Sequence, residues 1–453
     1  MVSRACSTLT VASSRFHRRN NRVTTEITNY MQFALQQAFF AIGESRPNPA
    51  VGAVVVKDGI VVGKGRTQRP GSAHAEVMAL RDAGELANGA SIYVTLEPCC
   101  HYGRTPPCTK AIIEAGIKKV YFAHSDPNPV VHGKSRAILE EAGIEVHEGL
   151  DACILACVDE YLDAESPAGC RVFEFQRMSP EDRALREGEG REVFAEVERY
   201  FEAYDYFVRT KRTFVEIKSA VSQDGFMGCV DLYGNHLPLV ITKQGANCWN
   251  HELRAMSDAV LVGAGTLLAD NPSLNVRFAD GNDPVKVIWA GHHEFTADEI
   301  LQLKVFQTKD SLPLVFSCVP QKNIVDFVLL PHKSFAENWR SMVDDLSARG
   351  MHRLMVEPGV GLAQALFKEV ESAPSQDASD NARNAAQSQD TQPLWNRLDL
   401  WRSTDTSIDV ALEKLIESGA VKTGLEYPEL PASLVAKESA VIGPDVLTVY
   451  YPG

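Results

Sequence analysis

A histidine stands two residues ahead of a glutamate in His74-Ala75-Glu76, and Pro98-Cys99 and Cys108 follow downstream. One imidazole, two thiols and an uncoordinated carboxylate are the parts of a catalytic zinc site of the kind that removes an amino group from a base. Three protein ligands leave the fourth tetrahedral position to water, whose pKa the metal brings down towards neutrality. Glu76 is placed to carry a proton from that water to a ring nitrogen and then to the departing ammonia. The expected ligands are His74, Cys99 and Cys108, with Glu76 as the proton shuttle.

The spacing departs from the commoner Pro-Cys-x-x-Cys, because the residue three after Cys99 is Tyr102. The second thiolate is then Cys108, across the loop Cys100-His101-Tyr102-Gly103-Arg104-Thr105-Pro106-Pro107. Cys100 adjoins Cys99, points elsewhere and is read as a spare thiol. His101 is a second candidate imidazole, but using it would strand Glu76. A structural zinc site is the competing reading. It wants a fourth protein ligand, and none is evident.

The elements that must position these residues follow from hydrophobic periodicity. Tyr30 to Ile42 reads as an amphipathic helix, with Met31, Leu35, Ala38, Phe39 and Ile42 on one face. Val51–Val56 and Ile60–Val62 read as a hairpin around Lys57-Asp58-Gly59. Helices are then expected near Ala75–Ala83, Thr109–Ala115 and Ser135–Ala142, and strands at Ile92–Thr95, Lys119–Ala123 and Ile144–His147. This is a layered α/β domain whose strands run parallel after the first hairpin. The zinc ligands fall at the N-terminal ends of two neighbouring helices, where the helix dipole favours thiolate over thiol.

From 151 to 212 the pattern weakens. Arg171 to Tyr206 is rich in Glu and Arg, with little hydrophobic period before Val193–Tyr200. It reads as an inserted, partly helical linker with a solvated face. A second domain is expected over 213–453, with strands Phe214–Ala220, Asp258–Gly263, Val285–Trp289, Leu354–Val356 and Val446–Tyr450 and helices Gln244–Met256 and Leu362–Val370. The turn Glu357-Pro358-Gly359-Val360-Gly361 joins a strand to a helix N-terminus, a plausible phosphate cradle. Residues 371–393 form a polar insertion rich in Ser, Asp, Asn, Gln and Ala.

At 453 residues, two domains are the default. Hydrophobic residues make up 45% and charged residues 23%, as in a soluble globular protein, with no run of membrane-spanning length. A net charge of −14 argues against nonspecific nucleic-acid binding. Ten scattered cysteines suit a reducing compartment better than a disulfide framework. Residues 1–25 carry five arginines and several Ser and Thr, with no acid before Glu26. They read equally as an organellar transit peptide or as a disordered extension, so the expected location is cytoplasmic or organellar.

Asn48-Pro49-Ala50-Val51-Gly52, His74-Ala75-Glu76, Thr95-Leu96-Glu97-Pro98-Cys99, Gly103-Arg104-Thr105-Pro106-Pro107-Cys108 and Asp126-Pro127-Asn128-Pro129 together closely resemble the bifunctional riboflavin-biosynthesis deaminase/reductase family. The likeness runs from about Tyr30 to Leu150 nearly without gaps, and the long loop between the cysteines is specific to that family. A weaker likeness continues from about Phe214. The resemblance implies a cytidine-deaminase-like N-terminal domain over 26–150 and a dihydrofolate-reductase-like C-terminal domain. It implies deamination of 2,5-diamino-6-ribosylamino-4(3H)-pyrimidinone 5′-phosphate with Zn2+, then reduction of the ribosyl group with NADPH. Asn48 and Arg104 would meet the pyrimidine and the phosphate. Lys218, Arg254, Leu274, Arg277 and Glu357 would meet substrate in the second domain. Thr266, Asp270, Gly359 and Gly361 would meet NADPH. The expected partner is a small phosphoribosyl pyrimidine, with no nucleic acid and no membrane, in a homo-oligomer.

Four positions of the second half depart from the family pattern. Val240 replaces an aromatic, Trp289-Ala290 replaces an Asp-Ser pair, and Pro358 interrupts a Glu-Gly-Gly turn. The Ala-Pro-Lys segment is not recognisable around Trp401–Asp409. Proline also removes a backbone N–H that a phosphate would use. The alternatives are a deaminase with a degenerate reductase domain, a nucleoside or tRNA base deaminase, and a second domain that binds a nucleotide or flavin precursor without chemistry.

Overall fold

The computed structural model describes residues 29–156, 180–231, 233, 236–237, 241–307, 312–330, 334–371, 394–404 and 421–452. Two sheets organise it. The first has the order β2-β1-β3-β4-β5, from Gly52–Lys57 (β1), Ile60–Arg66 (β2), Ser91–Leu96 (β3), Lys119–His124 (β4) and Glu145–Glu148 (β5). β1 is antiparallel to both β2 and β3, and parallel pairing begins with β3 and β4. Asp58 and Gly59 both have positive φ, 51° and 77°, which is what a two-residue hairpin between Lys57 and Ile60 requires.

Helix α1 (Tyr30–Phe39) starts where the Asn29 side chain accepts from the N–H groups of Met31 and Gln32 at 2.9 and 3.2 Å. It stops three residues short of the predicted Ile42. Met31, Ala34, Leu35 and Ala38 face the sheet and are buried. Helix α2 (Ala75–Ala83) lies against β1 and β2. β1 therefore has a helix on each face, and Gly52 to Val56 are buried without alternation. Helices α3 (Cys108–Glu114), α4 (Lys134–Glu141) and α5 (Gly149–Leu155) complete the layers.

Glycines set how close α2 comes. A Cβ on Gly65 would stand 2.2 Å from the Ala75 oxygen and 2.4 Å from the Ala79 nitrogen. Any side chain there pushes away the helix that starts just after His74. Gly65→Val is expected to destabilise the fold by about 1–3 kcal/mol and to lower retained zinc, measured as the metal-to-protein ratio after dialysis. Full zinc occupancy at wild-type stability would refute this.

The segment read as a solvated linker is different in the structure. Helix α6 (Pro180–Thr210) is 31 residues long, and Val193, Val197, Tyr200 and Phe201 are buried in the first domain's core. Arginines on the same stretch disguise that face in the sequence. Residues 157–179 lie outside the described residues.

Among the described residues, the second sheet has nine strands in the order β12-β11-β10-β9-β13-β6-β14-β17-β16. These are Phe214–Val221 (β6), Ala259–Gly263 (β9), Val285–Gly291 (β10), Leu314–Ser317 (β11), Phe327–Leu329 (β12), Arg353–Val356 (β13), Arg397–Ser403 (β14), Leu434–Ile442 (β16) and Asp445–Pro452 (β17). Pairing is parallel from β12 to β14 and antiparallel from β14 to β16. Phe226–Asp231 (β7), His236–Leu237 (β8) and Val421–Glu426 (β15) form a small third sheet. Helices α7 (Gln244–Ala255), α8 (Ala264–Asp270), α9 (Ala297–Gln302), α10 (Phe335–Ala348) and α11 (Val360–Glu371) connect the strands.

The chain steps outward from β9 to β12, then returns to insert β13 between β9 and β6. In such sheets the usual ligand position lies outside the carboxyl ends of the strands at a reversal of this kind, here those of β9, β13 and β6. β10 runs to Gly291, so Trp289-Ala290 lie inside a strand rather than after one. Trp289 is buried against Phe335 and Trp339, with ring centroids 5.4 Å from each. Val240, the insertion 372–393 and Asp405–Asp409 lie outside the described residues. Among the described residues, no helix is long and apolar enough to cross a membrane.

Candidate active site

His74 caps the N-terminus of α2, and Cys108 opens α3. Cys99 lies in the turn after β3. His74 Nδ1 is 3.5 Å from Cys99 Sγ and 3.4 Å from Cys108 Sγ. Bonds of roughly 2.3 Å to sulfur and 2.0–2.1 Å to nitrogen in a tetrahedral zinc site make each such edge about 3.6 Å. All three donor atoms lie within 4.8 Å of one another, so the donor set fits zinc in both chemistry and spacing. Cys100 and His101 are not part of the cluster; the Cys100 thiol turns towards the Val130 carbonyl at 3.9 Å.

The hydrogen bonds prepare the site for a cation. The Cys108 thiol, then the His74 ring and the Cys108 N–H, hold Cys99 down to about 4 against the cost of its burial. Cys108 is pushed the other way by sharing that proton and by burial. Its hydrogen bond to Cys99 raises His74 to about 8. A metal entering here displaces these protons, so its affinity rises with pH. Glu76 is only 4% exposed, and burial, reinforced by Cys99, pushes it up to about 7. A carboxyl poised near neutrality accepts and returns a proton with little bias.

Glu97, from the same motif, has a supporting role not evident from the sequence. Its carboxylate accepts from the N–H groups of Asp126, Gly133 and Ser135 at 3.1–3.3 Å and from Ser135 Oγ at 2.5 Å. This ties the Cys99 turn to the loop entering α4. His124, at the end of β4, was also missed. It bonds Glu198 at 2.5 Å and Asp205 at 3.0 Å and stacks on Phe201 at 5.0 Å. Burial opposes its charge, yet Asp205 and Glu198 bring it up to about 9. The resulting imidazolium fastens α6 beside the site, and nothing in the spacing of residues 124, 198 and 205 announces it.

Asn48 lies in the segment leading to β1. In the β1–β3 ladder one partner moves down as the other moves up, from Val56↔Ser91 to Ala53↔Val94. The paired residues stop at Ala53↔Val94, and Asn48 lies before them in a bend. Arg104 is exposed on the loop between the two cysteines.

In the second domain, Arg254 and Glu357 form a two-pronged pair, with Nε–Oε1 at 2.7 Å and Nη2–Oε2 at 2.9 Å. Arg254 Nη1 also donates to the Asn275 carbonyl at 3.1 Å. Lys218, on β6, feels both charges; burial lowers its pKa while Glu357 opposes that shift. Leu274 contributes backbone rather than an accessible side chain. It is fully buried, and its φ is 53°. The exposed Arg277 donates its N–H to His251 Nδ1 at 3.0 Å and Nη1 to Asn275 Oδ1 at 2.6 Å. Burial, then Arg254 and Arg277, hold His251 down to about 4, so it accepts as a neutral ring. His251 stands three residues before Arg254 on α7, a helical spacing that was available in the sequence.

Thr266 and Gly359 meet where β9 and β13 end. A Cβ on Gly359 would stand 2.6 Å from Thr266 Oγ1. Gly361 sits in the first turn of α11 with open space where a Cβ would go. Asp270 is exposed at the far end of α8, one turn beyond Thr266. A glycine-lined floor between two helix N-termini suits the phosphates of a dinucleotide. Pro358 is buried within that turn.

Residues 24–124 match the cytidine and deoxycytidylate deaminase zinc-binding region, and residues 213–370 match the RibD C-terminal domain. The chain is 35% identical over 352 residues to riboflavin biosynthesis protein RibD of Aquifex aeolicus, covering 75% of this chain and 83% of that one. With RibD of Bacillus amyloliquefaciens it shares 39% identity over 260 residues, 57% of this chain and 58% of the relative's length. A crystal structure of a diaminohydroxyphosphoribosylaminopyrimidine deaminase/5-amino-6-(5-phosphoribosylamino)uracil reductase from Thermotoga maritima is similar at a TM-score of 0.59 and 27% identity. The match covers 94% of this chain and 98% of that one.

Proposed function

The chain belongs to the RibD family of riboflavin-biosynthesis proteins, and from that premise we propose that it catalyses two successive steps. The first domain removes the 2-amino group of 2,5-diamino-6-ribosylamino-4(3H)-pyrimidinone 5′-phosphate by hydrolysis. The second reduces the ribosyl group to ribityl with NADPH. The observation that carries the reading is the His74, Cys99 and Cys108 donor set with Glu76 buried behind it.

His74, Cys99 and Cys108 would hold Zn2+, which supplies an acidified water when bound. Glu76 would take one proton of the attacking water to the ring nitrogen, and then carry that water's second proton to the amino group, which leaves as ammonia. Asn48 both donates and accepts, and so reads a pyrimidine edge. Arg104 offers a guanidinium fork to the phosphate. In the second domain, Lys218, Arg254 and Arg277 give a positively charged seat for a phosphosugar, and Glu357 keeps Arg254 oriented. Thr266, Gly359 and Gly361 would hold NADPH, which supplies the hydride, and Asp270 flanks them.

The net charge of −14 supports a free phosphoribosyl pyrimidine over a base held in nucleic acid. The arginine-rich N-terminus supports an organellar address. A deaminase whose second domain only binds is favoured by one observation: Trp289 packs in the core where the family carries a polar pair.

The test follows ammonia release and NADPH absorbance together, using zinc-loaded protein and the diaminopyrimidinone ribosyl phosphate. Both signals are expected. Ammonia alone reduces the function to deamination, and no ammonia overturns the substrate assignment.

A further inference from the structure

We propose that the second domain positions the pyrimidine-binding segment of the deaminase, with Asn282 and His352 as the positioning residues. This rests on the deaminase reading above. The segment concerned joins α1 to β1 and carries Asn48.

Between Phe39 and Gly52 the chain has turns but no ladder of its own. Its carbonyls must find donors elsewhere, and several come from far along the chain. Asn282 Nδ2 donates to the Phe40 and Ile42 carbonyls at 2.9 and 3.1 Å. His352 Nε2 meets the Pro47 carbonyl at 3.1 Å, and since a carbonyl only accepts, the ring nitrogen carries the proton. Tyr200, on α6, donates its hydroxyl to the Ala50 carbonyl at 3.0 Å.

The second domain reinforces this grip. Asp258 lies 3.8 Å from Arg46 Nε and also accepts from the His352 N–H at 2.8 Å. At Gly350 a Cβ would stand 2.8 Å from Pro47 Cβ, so the two backbones pack without an intervening side chain. Pro47 immediately precedes Asn48. Asn282 thus holds the chain ahead of the Ser45–Asn48 turn, and His352 holds Pro47 within it, next to the residue that the deaminase reading assigns to the pyrimidine.

Without these donors, substrate itself must order the segment, and that cost appears in binding. Asn282→Ala is expected to raise KM for the diaminopyrimidine by about 10-fold, two lost hydrogen bonds' worth, with a smaller change in kcat. Zinc content and NADPH affinity should stay at wild-type values. His352→Leu should do the same, and His352→Gln, whose amide N–H can replace the ring N–H, should recover most of the loss. Amide hydrogen exchange supplies a readout independent of turnover. The N–H groups of Ser45 and Asn48, bonded to the Ala41 and Ser45 carbonyls at 3.0 and 2.9 Å, should exchange faster in Asn282→Ala and His352→Leu.

Wild-type KM in both Asn282→Ala and His352→Leu overturns the proposal, as does unchanged exchange at Ser45 and Asn48. If the wild-type protein releases no ammonia, the deaminase reading fails instead, and the exchange measurement alone then decides whether the second domain holds the segment.

Discussion

Glu76→Gln leaves zinc bound and lowers ammonia release by roughly 100- to 10,000-fold, the range for removing a positioned proton carrier. Glutamine preserves the size and polarity of the side chain but cannot take up or return a proton at neutral pH. The ligands His74, Cys99 and Cys108 do not include it, so the metal-to-protein ratio should match wild type. The carboxyl is buried at the start of α2, where it bonds the Cys108 side chain. The measurement pairs metal analysis with steady-state ammonia release. Near-normal turnover in a zinc-replete variant would remove Glu76 from the mechanism. Zinc loss would show that its role is to hold the site together.

Arg353→Met destabilises the protein by about 3–5 kcal/mol, the cost of breaking a buried ion pair and leaving a formerly neutral cluster one positive charge short. The chain buries a six-member network where α6 meets the second sheet. Arg353 bonds Glu216, and its Nη2 donates to the Arg199 carbonyl at 2.7 Å. Arg199 reaches Asp399 at 2.9 Å, and Arg397 reaches Asp399 at 2.8 Å and Glu202 at 3.0 Å. Three arginines therefore face three carboxylates, and the cluster is neutral as a whole. The side chains of Glu216 and Asp399 have no exposed surface, and Arg353 shows 1%. Although burial favours protonating Asp399, Arg397 and Arg199 hold its carboxyl below the usual range.

Removing the Arg353 charge leaves Glu216 to Arg199 and Arg397 at 3.5 and 3.3 Å, and Arg199 loses the neighbour that fixes its backbone. Glu216→Leu added to Arg353→Met should cost less than the two single changes together, because it removes the stranded charge. The shift in urea midpoint of the full chain reads both effects. A single-variant midpoint within error of wild type would show that the network is not needed to join the sheets.

The residues of the zinc site were legible because their information is local. A histidine before a helix start, a cysteine after a buried strand and a second cysteine at the next helix start are each specified within a few residues of chain. The elements of the first domain were legible for the same reason: buried strands and short amphipathic helices follow in regular alternation. Helix α6 was not. Arg199 reads as a solvated charge until β6, β13 and β14 bring Glu216, Arg353, Arg397 and Asp399 around it, and only that convergence makes burial affordable. Trp289 likewise reads as a lost polar position, whereas the structure uses it to pack β10 against α10.

The sequence by itself singled out the His74, Cys99 and Cys108 donor set that the structure gathers and the strands and helices that present it, because those depend on spacing along one stretch of chain. Only the tertiary structure decided that Asn282 and His352 hold the segment before Asn48, and that an arginine-rich helix joins the domains. Hydrogen bonds across hundreds of residues and the mutual neutralisation of buried charges exist only once distant segments meet.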